Sequence, residues 1–356
     1  MKQGYNMETE TTTAELLEML TLTRCHGSEG EQLFYKNYIA PLEPTTYTDP
    51  GGNALAYVVQ VGVPACDLSH GILFSSHIDT VHSMTDPVRQ DVMFDEQTQL
   101  VYKDDKRPLG ADDAAGVWLM RRMISAGVPG TYIFHRGEER GGIGSRGMSL
   151  HHREFLAQFD IAIAFDRRGT NAIITEQMTG VCASQAFALA LGDLLHAAQP
   201  EVDLHPDDTG VFTDTANYTD VISECTNISV GYENEHSGDE YLDIDYLRRL
   251  TDAFIAVFSD PKVRDKLPAK RDPSVVDYGG GFDTNGWFYR KGSAYNSFAA
   301  NESGKSNGFT GYEYLEPGDI VNMRFQELVN YVRTAHPEDI ADLLMDMATD
   351  LDKQYQ

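Results

Sequence analysis

Four short apolar runs that each close on ionisable residues constrain this chain more than any other feature. The segments "GILFSSHIDT" (71–80), "GTYIFHRGEE" (130–139), "DIAIAFD" (160–166) and "ISECTNISVGY" (222–232) have the length and content of buried strands. Each ends in, or runs into, acids or histidine: "HIDT", "GEER", "FDRR", "NEHS". One such ending is noise, but four are hard to explain as solvated strand ends. Helical patterns alternate with them, as in "DDAAGVWLMRRMISAG" (112–127), closed by Gly127, and "DYLRRLTDAFIAVF" (245–258). Alternating strands and helices specify an α/β protein, a three-layer αβα sandwich around a mostly parallel central sheet. In such sheets the ligand crevice lies beyond the carboxyl ends of the strands, where these polar residues collect.

The flanks are less specific. "TTTAELLEML" carries leucines at helical spacing, "SEGEQLFYKNYI" offers Ser28 and Glu31 as a capping box, and "NALAYVVQVG" reads as a strand. A length of 356 residues suits one large domain with an appendage. The texture changes after residue 262, where glycine, proline and polar residues dominate before two amphipathic patterns at 319–335 and 336–355. The expected division is a domain over 1–262 and a C-terminal extension over 263–356.

Charge and cysteine content exclude several classes. Lys plus Arg is 28 against 55 Asp plus Glu, a net charge of −27. A phosphate backbone or an anionic membrane surface would be repelled, so neither nucleic acid nor membrane is an expected partner. Cys25, Cys66, Cys182 and Cys225 are scattered without a CxxC, as reduced thiols of a cytoplasmic protein would be. The N-terminus has acids where a signal peptide has basic and apolar stretches, and no apolar run reaches membrane-spanning length.

The polar strand ends hold the candidate chemistry. His77 and Asp79 form an H-x-D, useful where a metal-bound imidazole needs its other ring N–H held by an acceptor. Asp112 and Asp113 sit side by side before an apolar helix; capping that helix is the plain explanation. Glu138 and Glu139 follow a buried strand and precede glycines, so one carboxylate can bind a metal while its neighbour reaches a water. Asp166 ends a strand and His236 follows another. His82 reads as a loop residue, and His151 and His152 as helix-surface residues. Asp214 and Tyr218 of "FTDTANY" read either as cleft residues or as a packed Asx-type turn. Arg167 and Arg168 read either as binders of a substrate carboxylate or as partners of neighbouring acids.

Taken in order, "HIDTV", "GADDAAG", "GEERGGIGS", the aspartate of "AFDRRG" and "NISVGYENEHS" resemble the motifs of the di-zinc exopeptidase clan, over roughly residues 13–260. That clan holds co-catalytic zinc aminopeptidases, glutamyl aminopeptidases, tripeptidases and acylase-like relatives. The resemblance implies the zinc-dependent exopeptidase fold and two divalent metal ions, Zn²⁺ or in its place Co²⁺ or Mn²⁺. It implies that Asp112, with Asp113 as the alternative, bridges them. His77 and Asp166 would complete one site, and Glu139 and His236 the other. Glu138 would be the general base and Asp79 the support of His77. The bond from Asp112 to Asp113 would be one that the family often holds cis. The segment from Asp166 to His236 leaves no room for an inserted lid domain, which favours the lidless aminopeptidase branch. The implied activity is aminopeptidase hydrolysis of short peptides. An amidohydrolase of N-acyl amino acids, a carboxypeptidase-like relative and an inactive binding module are the alternatives. The oligomeric state stays open, a homo-oligomer among the options.

Overall fold

The computed structural model describes residues 7–62, 71–178, 180–260, 262–269 and 271–273, with the backbone of 280–282 and 288–290. The two amphipathic patterns at 319–335 and 336–355, and Cys66, lie outside the described residues. Eight strands form the central sheet: β1 Thr45–Thr48, β2 Ala54–Val61, β3 Gly71–His77, β4 Gly130–His135, β5 Phe159–Arg167, β6 Ala172–Ile174, β7 His205–Asp207 and β8 Glu224–Ser229. Their spatial order is β1-β2-β4-β3-β5-β8-β6-β7. The centre is parallel: β3 pairs in parallel with β4 and β5, and β8 with β5. Every residue of β4 and β8 is buried. Both faces of these strands are covered, which is why they read as continuous apolar runs rather than alternating ones.

Among the described residues the α-helices of six residues or more are α1 Met7–Leu20, α2 Glu29–Phe34, α3 Ala111–Ser125, α4 Ile143–His151, α5 Gln185–Ala198 and α6 Ile244–Phe258. Helix α3 packs on β3 and β5 and against α1 and α6. Gly116 makes that approach possible, because a Cβ there would stand 2.2 Å from the Phe165 carbonyl oxygen. Ser184 and Asp243 cap α5 and α6 by accepting from the N–H groups of Phe187 and Tyr246, each cap contributing about 1 kcal/mol. The expected capping box of α2 is half present. Ser28 accepts from the Glu31 N–H, but the Glu31 carboxylate turns to the Gly27 N–H and the Arg136 guanidinium. A buried salt bridge replaces the reciprocal cap.

The chain runs from β3 through α3 to β4 on one side of β3, then through α4 to β5 on the other. Strand β3 is thus a topological switch point, and a crevice opens at its carboxyl end, where His77 lies. The segment between Asp166 and His236 supplies β6, β7, β8 and α5 to the fold, so no lid interrupts it among the described residues. A second, antiparallel sheet joins Met93–Asp95 and Leu100–Tyr102 to Tyr232–Glu233 and Tyr241–Asp243, and holds the loop bearing His236. The core continues past residue 262: Val263 and Leu267 are buried, and Arg271 donates to the carbonyls of Thr219, Ile222 and Ser223. Among the described residues no helix is long and apolar enough to cross a membrane. Cys25, Cys182 and Cys225 are buried free thiols.

Candidate metal centre

The residues singled out at the strand ends meet in one place. His77 ends β3, Asp112 opens α3, and Asp166 is next to last in β5. Glu138 and Glu139 lie on a short 3-10 turn, Glu138–Arg140, just past β4. His236 has φ +64°, a left-handed conformation uncommon outside glycine. Asp112 turns one oxygen to each side: Oδ1 lies 2.9 Å from His77 Nε2 and Oδ2 lies 3.1 Å from His236 Nε2. His77 Nε2 is 3.5 Å from Asp166 Oδ1, and His236 Nε2 is 3.1 Å from Glu139 Oε1.

These spacings suit metal coordination. Ligands bonded at about 2.0 Å to a tetrahedral ion lie about 3.3 Å apart, and the four distances above span 2.9–3.5 Å. Glu139 Oε1 is buried, with His236 Nε2 as its close polar neighbour. Among the described residues two groups could hold an ion, His77–Asp112–Glu139 and His77–Asp113–Asp166, the donor atoms of each lying within 4.8 Å of one another. The second includes Asp113, but its oxygens are engaged. Oδ2 accepts from the Ser76 hydroxyl and the His77 N–H, and Oδ1 accepts from the Gly116 N–H at 2.8 Å. Asp113 therefore caps α3 and braces β3. The peptide bond between Asp112 and Asp113 is cis.

The electrostatics are those of acids crowded out of water. Burial pushes Glu138 well above its usual value; Asp166, Asp214 and Glu139 add to that and His77 opposes it. Burial and Asp112 raise Glu139 to about 7. Burial pulls His77 down, but Asp166 and Asp112 more than offset it, so its pKa stands well above the ordinary value. Hydrogen bonds to Asp112 and Glu139 lift His236 to about 11. Clustered carboxylates with two imidazoles form a donor set that dications stabilise and that repels itself without them.

A supporting layer holds these groups, and much of it was invisible in the sequence. Asp79 reaches His77 mainly through its backbone, its carboxylate Oδ1 standing 3.7 Å from His77 Nδ1. Its backbone oxygen lies 3.1 Å from His77 Nδ1, whereas its carboxylate accepts from the N–H groups of Gly137, Glu138 and Glu139 at 2.8, 3.1 and 3.3 Å. Glu240 accepts from the four N–H groups of Leu109, Gly110, Ala111 and Asp112 at 2.7–3.2 Å. Thr213 and Tyr232 donate to the two oxygens of Asp166. Fully buried Arg24 donates to the carbonyls of Ile78 and Gly110, tying together the turns next to His77 and Asp112. Asp214 and Tyr218 take the packed alternative: both are buried around His135, at 3.2 and 2.5 Å from its ring nitrogens. His82 is a loop residue, buried between Thr80, Gln90 and Pro108.

A cavity of about 350 Å³ opens over the centre. Asp112, Glu138, Glu139, Asp166 and His236 line one part of it; Arg167, Gln177, Val211 and Phe212 line another. Arg168 pairs with Glu235 at 3.2 Å, as one of the two readings of that residue expected.

No protein-family model matches the sequence, and no curated protein does. Solved structures do match. Aminopeptidase PepT from Bacillus cereus aligns over 70% of this chain and 98% of its own, at 15% identity and a TM-score of 0.51. The TET aminopeptidase of a marine sediment Thaumarchaeota archaeon aligns over 72% and 99%, at 12% identity and a TM-score of 0.53. The TET1 peptidase of Pyrococcus horikoshii, described as assembling into a tetrahedron or a large octahedral shell, aligns over 69% and 99%, at 14% identity and a TM-score of 0.50. The chain has the fold of the di-zinc exopeptidases. Within that fold its likeness is to PepT and TET aminopeptidases, and at these identities the likeness is one of fold.

Proposed function

We propose that this chain is a metal-dependent exopeptidase, an aminopeptidase that hydrolyses short peptides. The observation that carries the reading is Asp112 with one oxygen toward His77 and the other toward His236. On this reading two Zn²⁺ ions would be held by Asp112 in common, with His77 and Asp166 for one and Glu139 and His236 for the other. When bound, the ions lower the pKa of water and polarise the scissile carbonyl. Glu138, whose pKa burial pushes well above the usual carboxylate range, takes the proton of the attacking water and returns it to the leaving amine. Asp79 acts through the backbone of Glu138 and Glu139, fixing where both carboxylates point. Glu235 Oε2, buried without a hydrogen-bond partner among the described residues, offers an acceptor for the α-ammonium of the substrate.

The catalytic domain on this proposal is the 1–262 segment and the extension runs over 263–356, with Val263 and Leu267 buried at its start. A reducing, cytoplasmic setting suits the buried thiols. A homo-oligomer is part of the same proposal, by analogy with the TET1 assembly, and is read by light scattering.

Metal content with and without chelation, paired with a screen of unblocked peptides and N-acyl amino acids, tests the activity. Glu138→Gln should keep its zinc and lower kcat by about 10²- to 10⁴-fold. Normal turnover in that variant would remove Glu138 from the mechanism, and release of amino acids only from N-acyl substrates would replace the aminopeptidase by an amidohydrolase.

A further inference from the structure

Strand β8, "ECTNIS", is buried at every residue, yet it carries an asparagine near its middle. Asn227 is 4% exposed. Asparagine is depleted from strands, because its amide gains little from an apolar surface and competes for backbone groups. A buried amide needs an acceptor for its NH₂ group and a donor for its oxygen. Asn227 finds both on one residue. Its Oδ1 accepts from the Asp166 N–H at 2.8 Å, and its Nδ2 donates to the Asp166 carbonyl at 2.7 Å.

The strand register gives the reason for this clamp. β8 runs parallel to β5 with Cys225 beside Ala162, Thr226 beside Ile163 and Asn227 beside Ala164, but then with Ser229 beside Arg167. Two steps along β8 match three along β5, so β5 carries an extra residue at Phe165–Asp166. A bulge of this kind interrupts the ladder, bends its strand and re-aims a side chain. The side chain concerned is that of Asp166, whose Oδ1 stands 3.5 Å from His77 Nε2. The Asn227 amide has the donor and the acceptor of a peptide group, so it stands in for a strand neighbour at the bulge. Ser229 does the same just beyond it, accepting from the Ala172 N–H at 3.1 Å and donating to the Arg168 carbonyl at 2.7 Å. Thr213 and Tyr232 hold the carboxylate oxygens of Asp166; Asn227 holds the backbone that carries them.

We infer that Asn227 is a positioning residue for Asp166, closing the bulge in β5 and so setting where that carboxylate stands in the metal centre. This rests on the two-metal reading proposed above and concerns one of its two sites, that of Asp112, His77 and Asp166. The ligands of the other site are carried elsewhere. Glu139 lies on the turn after β4, and His236 in the loop between the paired segments Tyr232–Glu233 and Tyr241–Asp243. A change at Asn227 should therefore reach one zinc ion and spare the other.

The test uses the full-length protein, titrated with zinc against a chromophoric chelator, with native mass spectrometry counting the ions per chain. The native chain should hold two. Asn227→Asp keeps the volume and one acceptor but turns an oxygen toward the Asp166 carbonyl. It should weaken one ion about 10- to 100-fold, the usual effect of losing an outer partner of a ligand, and leave the other unchanged. Asp166→Ala should weaken the same ion, and Asn227→Asp added to it should lower the affinity no further, because the two act as one unit. If Asn227→Asp does not fold, Asn227→Ala, which opens the same backbone groups to water without adding a charge, takes its place in the cycle. Equal losses at both ions, losses that add in the double variant, or a lower urea midpoint with native zinc affinity would overturn the role of Asn227. Two ions held at native affinity in Asn227→Asp would sink this inference alone. A native chain that holds no zinc would sink the metallopeptidase reading and the inference with it.

Discussion

Single residues far apart in the chain decide whether the centre holds its shape. Glu240 is the sharpest case, because its carboxylate gathers the N–H groups of Leu109 through Asp112 just where the chain must present Asp112. Glutamine there keeps one acceptor oxygen and turns an NH₂ group toward two N–H donors. Two buried donors lose their acceptor, each at about 1–3 kcal/mol. Glu240→Gln should therefore lower unfolding stability by about 2–6 kcal/mol in urea and weaken zinc affinity about 10- to 100-fold, the usual effect of losing an outer partner of a ligand. A competition assay with a zinc chelator reads the second effect, and unchanged affinity would remove Glu240 from the support of the centre. The contrast in legibility follows from the same physics. His77, Asp112, Glu139, Asp166 and His236 stand out in the sequence because ionisable groups at the ends of buried strands need a reason to be there. Glu240 sits in "SGDEY" among surface-like acids, and only the fold shows that it is 2% exposed. Asp79 is legible as a residue next to His77, yet its carboxylate serves a loop more than fifty positions away.

The elements around α2 and β3 are joined by ion pairs and neutral imidazoles that make the fold sensitive to acid. The Glu31 carboxylate is 1% exposed, paired with Arg136 at 2.6 Å, and held down to about 2 despite its burial by bonds from His26 and Arg136. His82, which links the turn after β3 to Gln90 and Pro108, is pushed by burial down to about 4. Both pKa values are lower in the folded than in the unfolded chain, so the unfolded state takes up protons first as pH falls. For His82 the loss of stability spans the window from about 6.5 to about 4, and for Glu31 from about 4.5 to about 2. Each shift corresponds to at most about 3 kcal/mol. The expected result is read as native chain minus variant, because the raised carboxyls of the centre act in the opposite sense over the same pH range. The urea-midpoint advantage over Glu31→Gln should shrink from about pH 4.5 to about pH 2 and that over His82→Gln from about pH 6.5 to about pH 4; a His82→Gln difference that is constant from pH 7 to pH 4 would sink the account of His82. The pattern of elements was readable because hydrophobic period fixes strand and helix. The pairing of Glu31 with Arg136 was not, since a capping box and a buried salt bridge begin from the same Ser28 and Glu31.

For the whole molecule, two populations of negative charge must be told apart. Most of the 55 acids contribute to a surface that repels itself, a long-range effect that salt screens. A smaller set, Asp112, Asp113, Glu138, Glu139 and Asp166, is concentrated at the carboxyl end of the sheet in surroundings that water and salt reach poorly. Screening shortens to about 3 Å at 1 M salt, but buried groups this close stay coupled. The two populations therefore predict different responses. Sodium chloride should raise Tm in both the zinc-loaded and the chelated protein, because both carry the same surface. Zinc should raise Tm through binding to the folded state, by about 4 kcal/mol of stability when free zinc is a thousand times its Kd. The gap between loaded and chelated Tm should then survive in 1 M salt when free zinc is held at the same multiple of Kd. A gap that closes with salt would place the zinc on the acidic surface, where ions exchange freely, and would detach the metal from the cluster at β3. Its survival, together with its loss in an Asp112→Ala variant whose chelated Tm is not lower than that of the native chain, would tie the metal's stabilising effect to the one carboxylate that faces both histidines.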